Sequence, residues 1–369
     1  MPIIVAAGIL GLIAAVVTYA GVARYRLWAE RHQILDLPNE RSSHTHPTPR
    51  GGGLILVIVT LSFGWMLSAG AAGPAWRPAY LYYAAGASLI AAVSWLDDLR
   101  SLAKWTRLLV HILGAVIVIS GLGYWQSIQL PLLGSVSLGW WGSLVTALWI
   151  VGLTNAYNFM DGIDAIAGGQ ALVGGLAWAL LGWTGGHPLV GGIGWLLACS
   201  SVGFLIHNWH PARVFLGDVG SAFMGYTLAV LPLMDGFFSE ESAHAPMAGL
   251  LVVWPFVFDT SLTFLQRLWH GENVFMAHRK HLYQRMAFAR AGHMRVALLY
   301  AGLAMAGCVL ALLWSMHMAQ ASLVILIALP ALCLGLFALA AKLGHQPPAG
   351  GPMQPGSKRI PCGNKTTAF

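Results

Sequence analysis

Residues 3–23, IIVAAGILGLIAAVVTYAGVA, form an apolar run without one charged side chain. A helix needs about 20 mostly apolar residues to cross the hydrocarbon core of a membrane. Similar runs recur along the chain, and we predict spans near 3–23, 52–70, 79–96, 107–123, 140–155, 165–184, 188–206, 219–235, 246–266, 296–315 and 321–341. The sequence therefore predicts an all-α polytopic integral membrane protein with about eleven transmembrane helices.

The composition agrees with this fold class. Of the 369 residues, 57% are hydrophobic and only 9% are charged, whereas a soluble globular protein carries about 25% charged residues. So few charges cannot cover a large water-exposed surface, which excludes a disordered chain and an ordinary soluble enzyme. The four cysteines show no CxxC spacing, so they indicate neither a zinc site nor a disulfide framework.

The basic residues predict the orientation in the membrane. Nineteen of the 20 Lys and Arg residues fall in alternate connections between the predicted spans or in the C-terminal tail, and only Arg77 lies on the opposite side. Because Lys and Arg are enriched in cytoplasmic loops, we expect the N-terminus outside and the C-terminus in the cytoplasm. We further expect one transmembrane catalytic domain over 1–343, with its site on cytoplasmic loops, and a disordered Pro- and Gly-rich tail over 344–369.

Acidic residues gather at the same membrane face, although they are far apart in the chain. Five lie at predicted cytoplasmic ends of spans, namely Asp97, Asp98, Asp161, Asp164 and Asp218. A sixth, Asp259, lies inside the ninth predicted span. An ionisable residue within a membrane favours a functional interpretation, and a buried polar packing role is the alternative for Asp259.

Two motifs carry carboxylates that suit a divalent cation. Residues 95–100, WLDDLR, have Asp97 and Asp98 side by side, and residues 215–221, FLGDVGS, have Asp218 between glycines. Mg²⁺ prefers hard oxygen ligands, and a like-charged neighbour raises the pKa of one carboxyl group, which suits a base. The alternatives are a solvated turn for the Asp pair and a simple helix N-cap for Asp218.

A third motif suits the recognition of a sugar or a nucleotide base. Residues 155–162, NAYNFMDG, carry Asn155, Asn158 and Asp161 at three-residue spacing, so one helical face would present two amides and a carboxylate. Amides both donate and accept hydrogen bonds, as such a ligand requires. Polar capping of the helix end is the alternative.

A fourth motif, HRKHLYQR at residues 278–285, lies in the longest predicted inner loop. His278 and His281 share a face and are flanked by cations that include Arg279, which predicts a site for a diphosphate rather than for a metal ion. The alternative is ordinary basicity of a cytoplasmic loop.

A glycine-rich entry to the second predicted span, PRGGG at residues 49–53, suits a lipid phosphate. Arg50 and the backbone amides around Gly51 would lie where the lipid headgroup lies. A flexible connector with a basic residue is the alternative.

Together, these motifs resemble the polyprenyl-phosphate N-acetylhexosamine-1-phosphate transferases. This superfamily, glycosyltransferase family 4, includes bacterial phospho-MurNAc-pentapeptide translocase and the GlcNAc-1-phosphate transferases. The resemblance spans roughly residues 40–300, and the four matching pieces occur in the family order. Within the superfamily, His-Arg-Lys-His-Leu-Tyr-Gln is most similar to O-antigen-initiating enzymes that use UDP-FucNAc, UDP-QuiNAc or UDP-GlcNAc, and it departs from the His-rich loop of the peptidoglycan branch.

The resemblance implies a reaction, a cofactor and a role for each residue. Undecaprenyl phosphate would attack the β-phosphorus of a UDP-N-acetylhexosamine, with Mg²⁺ or Mn²⁺ bound, and give undecaprenyl-diphosphate-sugar and UMP. The implied residues are Asp218, Asp98 and Asn155 at the metal, Asp97 at the lipid phosphate, Asn155, Asn158 and Asp161 at the nucleotide, and His278, Arg279 and His281 at phosphate groups.

The expected partners are undecaprenyl phosphate, a UDP-N-acetylhexosamine and the bacterial inner membrane, with no nucleic acid, and a homodimer is compatible with the sequence. The main alternative is a proton-coupled secondary transporter, whose polar residues would lie near mid-membrane, often in repeated halves. No internal repeat is visible in the chain, which favours the transferase. A lipid-binding scaffold is a further alternative, but it gives no reason for converging acidic residues.

Overall fold

Long helices dominate the computed structural model, which describes residues 2–38, 46–71, 74–238, 242–272, 280–318 and 320–344. The helices α1 to α12 span Pro2–Arg31, Gly53–Met66, Arg77–Arg100, Lys104–Leu122, Trp141–Met160, Ile166–Thr184, Pro188–Asn208, Gly217–Phe237, Ala245–Trp269, Leu282–Met286, Gly292–Ser315 and Ala321–Gly344. Each predicted span overlaps one of the long helices, and only the short α10 has no predicted counterpart.

Nine of the long helices within the described ranges are long and apolar enough to cross a membrane. The prediction of an all-α polytopic membrane protein is therefore confirmed, while the count of eleven spans and the orientation of the termini stay predictions. The other two long helices, α5 and α8, carry polar residues of the motifs described above. Most of the predicted tail, from residue 345 onward, lies outside the described residues.

The centre of the fold is α8, which packs against α2, α3, α5 and α9. All of its side chains from Val219 to Met234 are buried, as expected of a helix that is apolar on every side. The pair α6 and α7 packs closely through glycines, since a Cβ added to Gly175 would lie 2.6 Å from the carbonyl oxygen of Gly194. Small residues at such a crossing let two helix backbones approach within a membrane.

Two small antiparallel ribbons lie at opposite ends of the helices. Strands β1 (Leu35–Asp36) and β2 (Thr48–Pro49) pair just before α2 begins. Strands β3 (Ser127–Leu130) and β4 (Gly134–Ser137) form a hairpin that follows the far end of α4. The first ribbon marks the end of the helices where α3 and α5 finish and α4, α6 and α8 begin, and this is the end that carries the acidic motifs.

Candidate active site

Asp98 holds the first turn of α8. Its carboxylate lies at the end of α3 and accepts hydrogen bonds from the backbone amides of Asp218, 3.0 Å from Oδ1, and Val219, 3.1 Å from Oδ2. The first amides of a helix lack intrahelical partners and carry partial positive charge, so a carboxylate stabilises them. Asp98 thereby fixes the position of Asp218 relative to α3, although the two residues are 120 positions apart in the chain.

Arg50 balances the charge of Asp98. Its guanidinium donates to Oδ1 of Asp98 from Nε at 3.0 Å and from Nη2 at 2.5 Å, and the Asp98 side chain has no exposed surface. The following segment is held against the loop before α8, because the amide of Gly52 donates to the carbonyl of Phe215 at 2.9 Å. Arg50 therefore contacts the acidic motif directly, whereas the Gly52 amide is engaged within the protein.

Gly217 allows these groups to meet. It adopts a φ of +77°, and a Cβ built on it would lie 2.5 Å from Oδ2 of Asp98 and 2.7 Å from Cα of Gly51. Gly51, itself buried, has a φ of +87°. Only glycine accommodates both the left-handed backbone and this close approach.

Arg107 bridges two further carboxylates. Its Nη1 atom lies 3.1 Å from Oδ2 of Asp97 and 3.1 Å from Oδ2 of Asp218. The other oxygen of Asp97 accepts a hydrogen bond from the backbone amide of Leu102. In the sequence, Arg107 is one of the nineteen Lys and Arg residues that predict the orientation in the membrane, and nothing there assigns it to the acidic motifs. The signal that could have found it is its place in the first turn of α4, directly after the Asp97–Asp98 pair.

Asp161 completes a set of four acidic residues that we call the carboxylate cluster: Asp97, Asp98, Asp161 and Asp218. Asp161 follows the last residue of α5, and its amide donates to the carbonyl of Asn158 at 3.3 Å. Burial, together with the charges of Asp218, Asp98 and Asp164, raises the pKa of Asp161 to about 8. The guanidinium groups of Arg50 and Arg107 therefore do not fully neutralise the four carboxyl groups of the cluster.

The two predicted amide residues lie beside the cluster and line a cavity of about 820 Å³. Asn158 accepts a hydrogen bond through Oδ1 from the Ser221 hydroxyl at 3.3 Å, which ties α5 to α8. Asn155 donates from Nδ2 to the carbonyl of Val151 in its own helix at 2.7 Å. Arg107 lines the same cavity and also contacts Asp97 and Asp218, so it joins the cavity to the carboxylate cluster.

His281 reaches the cavity from the opposite wall, where Asp259 holds it. The Nδ1 atom of His281 lies 3.1 Å from Oδ1 of Asp259, which has no exposed surface. The same carboxylate accepts hydrogen bonds from the amides of Leu282 at 2.9 Å and Tyr283 at 3.0 Å, and from the Tyr300 hydroxyl at 2.5 Å. Asp259 is thus the anchor of α10 and of the His281 ring.

The other members of the basic motif, His278 and Arg279, lie outside the described residues. Their predicted contact with phosphate stays a prediction. His281 itself lines the cavity together with Asn155 and Asn158, so three residues that the sequence analysis singled out meet around one space.

The donor set fits a divalent cation between Asp97 and Asp218. Their Oδ2 atoms converge on a single cationic nitrogen of Arg107, and carboxylate oxygens are ligands that Mg²⁺ prefers. The raised pKa of Asp161, caused by burial and by neighbouring carboxylates, marks uncompensated negative charge beside them. Asp98 fits less directly, because both of its oxygens are occupied by Arg50 and the α8 amides.

Comparison with known proteins bears on this arrangement. Residues 80–235 match the family model described as "Glycosyl transferase family 4". The matched region contains the whole carboxylate cluster and the Asn155–Asp161 segment, and it ends before His281.

Curated relatives extend the similarity over most of the chain. A "Probable undecaprenyl-phosphate N-acetylglucosaminyl 1-phosphate transferase" of Bacillus subtilis (strain 168) is 29% identical over 268 residues, which cover 72% of this chain and 73% of that protein. A "Decaprenyl-phosphate N-acetylglucosaminephosphotransferase" of Mycobacterium tuberculosis (strain CDC 1551 / Oshkosh) is 29% identical over 324 residues, 79% of this chain and 78% of that protein. Over most of its length the chain is thus similar to polyprenyl-phosphate sugar-1-phosphate transferases. A "Phospho-N-acetylmuramoyl-pentapeptide-transferase" of Latilactobacillus sakei subsp. sakei (strain 23K) is 30% identical over 168 residues, which cover 45% of this chain and 50% of that protein.

The motifs lie far apart in the chain but meet in the fold. The helices that carry them are separated by other spans, yet the carboxylate cluster brings α3, α5 and α8 into contact with the segment before α2. The chain is a multi-pass membrane protein with the carboxylate cluster at one end of its helices.

Proposed function

We propose that the protein transfers an N-acetylhexosamine-1-phosphate from a UDP-sugar to undecaprenyl phosphate at the cytoplasmic face of the bacterial inner membrane. The donor would be UDP-GlcNAc, UDP-FucNAc or UDP-QuiNAc, and the product would initiate O-antigen or another cell-envelope polysaccharide. An oxygen of the lipid phosphate forms a bond to the β-phosphorus of the donor. The bond from that phosphorus to the bridging oxygen breaks, and UMP leaves with the bridging oxygen.

The observation that carries this proposal is the carboxylate cluster, which Arg107 joins to the cavity. Phosphoryl transfer needs little covalent chemistry from a protein, because positioning and neutralisation of charge provide most of the catalysis. Asp97 and Asp218 converge on one cationic position, and Arg107 joins that position to the cavity. The names of the relatives, which specify polyprenyl-phosphate acceptors and GlcNAc-1-phosphate, support the same reaction class.

Each wall of the cavity has a role in this reaction. Asn155 and Asn158, on the α5 wall, would bind the nucleotide or the sugar through their amides. His281, on the opposite wall, donates from Nδ1 to Asp259 and presents Nε2 to the cavity, and in its imidazolium form it would donate from Nε2 to a phosphate oxygen. Arg107 has about a third of its side chain exposed, so it is free to turn from the carboxylates toward the donor diphosphate.

Asp97 would orient the lipid phosphate or accept its proton, as its second oxygen is held by the Leu102 amide. Asp218 would hold Mg²⁺ or Mn²⁺ beside the Asp97 carboxylate and near Asn155, and Asp98 would help indirectly by fixing the first turn of α8. When bound, such an ion supplies charge neutralisation on the diphosphate oxygens. Asp161 lies next to Asp218 and would share the divalent cation with it. The charge of that cation would bring the carboxyl group of Asp161 into the ionised form.

The position of the cluster also separates this proposal from the proton-coupled secondary transporter. Sites of such transporters lie near the membrane midplane, typically on interrupted helices. Here Asp97, Asp161 and Asp218 lie at the end of α3, just after α5 and at the beginning of α8, respectively. Helix ends that meet at an aqueous boundary suit a water-soluble donor and a lipid acceptor together.

The test is release of UMP by the purified protein in nanodiscs, with a polyprenyl phosphate, a divalent cation and each of the three UDP-sugars. Asp218→Asn should lower turnover by at least about 100-fold, the usual scale for loss of a group that stabilises transition-state charge. Asp235→Asn is a matched control, because it also replaces a carboxylate on α8, one that pairs with His187 at 2.6 Å near the opposite end of the helix.

We expect Asp235→Asn to retain turnover. Absence of UMP release with every UDP-sugar would rule out the transferase, and cation-independent proton flux in proteoliposomes would then support the transporter. Equal turnover by Asp218→Asn and by the unsubstituted protein would show that Asp218 has no role in the reaction.

A further inference from the structure

A second group of ligating side chains lies apart from those used in the proposed reaction. Asp164 comes from the turn between α5 and α6, His210 from the loop between α7 and α8, and His293 from the first turn of α11. One donor atom of each lies within 4.8 Å of those of the other two. We propose that these three side chains bind a transition-metal ion of the Zn²⁺ type, at a site distinct from the carboxylate cluster.

The distances suit such an ion after small side-chain rotations. Oδ2 of Asp164 lies 2.5 Å from Nδ1 of His210 and 3.5 Å from Nδ1 of His293, and the two imidazole centroids are 5.1 Å apart. Zn²⁺ binds nitrogen and oxygen ligands at about 2.0–2.2 Å, so tetrahedral ligand atoms are roughly 3.3 Å from one another. The two Asp164–histidine distances, 2.5 Å and 3.5 Å, lie on either side of this value.

His293 gives an independent reason to expect a ligand. Its Nδ1 atom is buried, makes no hydrogen bond of good geometry within the described residues and lies 3.5 Å from Oδ2 of Asp164, with which it forms an ion pair. A metal ion between these two atoms would hold them at the separation of roughly 3.3 Å that tetrahedral ligands have.

Asp164 is the common neighbour of both imidazoles. Its Oδ2 atom lies 2.5 Å from Nδ1 of His210 and 3.5 Å from Nδ1 of His293, and it also accepts a hydrogen bond from the amide of Ala212 at 3.2 Å. The carboxylate therefore lies where it could bind the same ion as both histidines.

The ligand chemistry distinguishes this site from the cluster. Two imidazoles and one carboxylate suit Zn²⁺ and related transition metals, whereas Mg²⁺ selects oxygen ligands. The Asp164 and His293 side chains are about nine-tenths buried, at 8% and 11% exposure, while His210 is 47% exposed. The site is thus closed on the protein side and open to water on one side, so water would supply a fourth ligand.

Binding would join three segments that surround the cluster. Asp164 lies three residues after Asp161, the His210 loop leads to Asp218, and His293 begins the helix that follows α10. A metal ion at this position would hold these segments together from outside the reacting groups. The inference does not depend on the proposed reaction.

The test uses the full chain in nanodiscs, purified through a tag without histidine and stripped with a chelator. Zn²⁺ is added in the presence of excess Mg²⁺, and retained metal is counted by mass spectrometry after desalting. We expect one Zn²⁺ per chain, and at least about 10-fold weaker binding in His210→Gln and in His293→Gln. Asp218→Asn and His187→Gln, which alter the cluster and the His–Asp pair of the opposite end, should bind as the parent does.

Co²⁺ provides a readout that needs no variant. Bound by imidazoles at low coordination number it absorbs strongly in the visible range, whereas an octahedral all-oxygen complex is pale. A chain that retains no stoichiometric Zn²⁺ and gives only the pale Co²⁺ spectrum would overturn the proposal. Equal Zn²⁺ retention by the unsubstituted protein and the double variant His210→Gln/His293→Gln would also overturn the proposal. The three residues would then only stabilise the fold through their contacts with one another.

Discussion

At the scale of single residues, Asp259 shows how a buried carboxylate controls a site that it does not line. Its two oxygens accept hydrogen bonds from His281, from two amides of α10 and from Tyr300. In Asp259→Asn, an NH2 group would replace one of the two acceptor oxygens. That NH2 group would face hydrogen-bond donors, so buried polar groups would lose their partners. We expect a loss of about 1–3 kcal/mol in the free energy of unfolding and a fall of about 10–100-fold in kcat, measured by denaturant unfolding and by UMP release.

A pair of Tyr→Phe variants separates positioning of His281 from general stability. Tyr300→Phe removes the donor to Asp259, and Tyr83→Phe removes a buried hydroxyl that lies 3.0 Å from the Thr227 hydroxyl. Each should cost about 1 kcal/mol of stability, but only Tyr300→Phe should lower kcat. Equal kcat in both variants, together with normal turnover of Asp259→Asn, would contradict the positioning role.

Asp161 lies where function and stability conflict. Burial and three neighbouring acids raise its pKa from an ordinary 3.8 to about 8. The unfolded chain therefore releases this proton near pH 4, while the folded chain keeps it until about pH 8. By linkage, this group lowers stability progressively as the pH rises between those values and has no further effect above them.

We expect Asp161→Asn to raise the Tm of the cation-free protein by roughly 2–4 °C at pH 8 and to have no such effect near pH 4. The same variant should lose transferase activity. Thermal unfolding at several pH values in a chelator measures the first effect, with Glu30→Gln as a control because Glu30 contacts only Arg26 on the surface of α1 among the ion pairs of the described residues. A Tm difference that is constant with pH would show that Asp161 has an ordinary pKa.

At the scale of elements, α2 and α8 meet so closely that the contact admits no side chain. A Cβ on Gly53 would lie 2.4 Å from Cα of Gly220 and 2.8 Å from the carbonyl oxygen of Leu216. Gly53→Ala must therefore move one backbone against another, at a cost of about 1–3 kcal/mol. Because Arg50 precedes α2 and Asp218 lies in the first turn of α8, the same shift should reduce UMP release.

Gly302→Ala is the matched substitution, since Gly302 lies within α11 and, apart from its own helix turns, no described residue comes within 4 Å of its added Cβ. Alanine is the better helix former, so this variant should gain roughly 0.5–1 kcal/mol. Thermal unfolding of both variants should therefore give shifts of opposite sign. A destabilised Gly302→Ala, or an unchanged Gly53→Ala, would contradict the packing argument.

The elements themselves were predictable, and their contacts were not. Apolar runs of spanning length predicted each long helix, because length and hydropathy are local properties of the sequence. The gathering of Asp97, Asp161 and Asp218 followed from charge alternation and motif order. That Asp98 caps α8 and that Arg107 joins two carboxylates depends on how α3, α4 and α8 pack, and no local pattern encodes a contact across 120 residues. The His210–Asp164–His293 group was missed for the same reason.

At the scale of the whole molecule, the number of crossings decides which side each end of the helices faces. If all eleven long helices span the membrane, the two termini lie on opposite sides, and the charge distribution puts the cluster end in the cytoplasm. Two exposed residues mark the two ends. Leu132, in the β3–β4 hairpin, is 72% exposed, and Trp269, at the end of α9 near the cluster, is 90% exposed.

Cysteine labelling in cells measures on which side of the membrane each of these two residues lies. In a background without native cysteines, Leu132→Cys should react with a membrane-impermeant maleimide in spheroplasts, because the hairpin would face the outside. Trp269→Cys should react only after permeabilisation, since the end of α9 lies beside His281 and the donor of the proposed reaction is a cytoplasmic sugar nucleotide. The reverse labelling pattern would put the cluster outside the cell, where no UDP-sugar is supplied. Labelling of both positions in spheroplasts would mean that one of the eleven long helices does not cross the membrane.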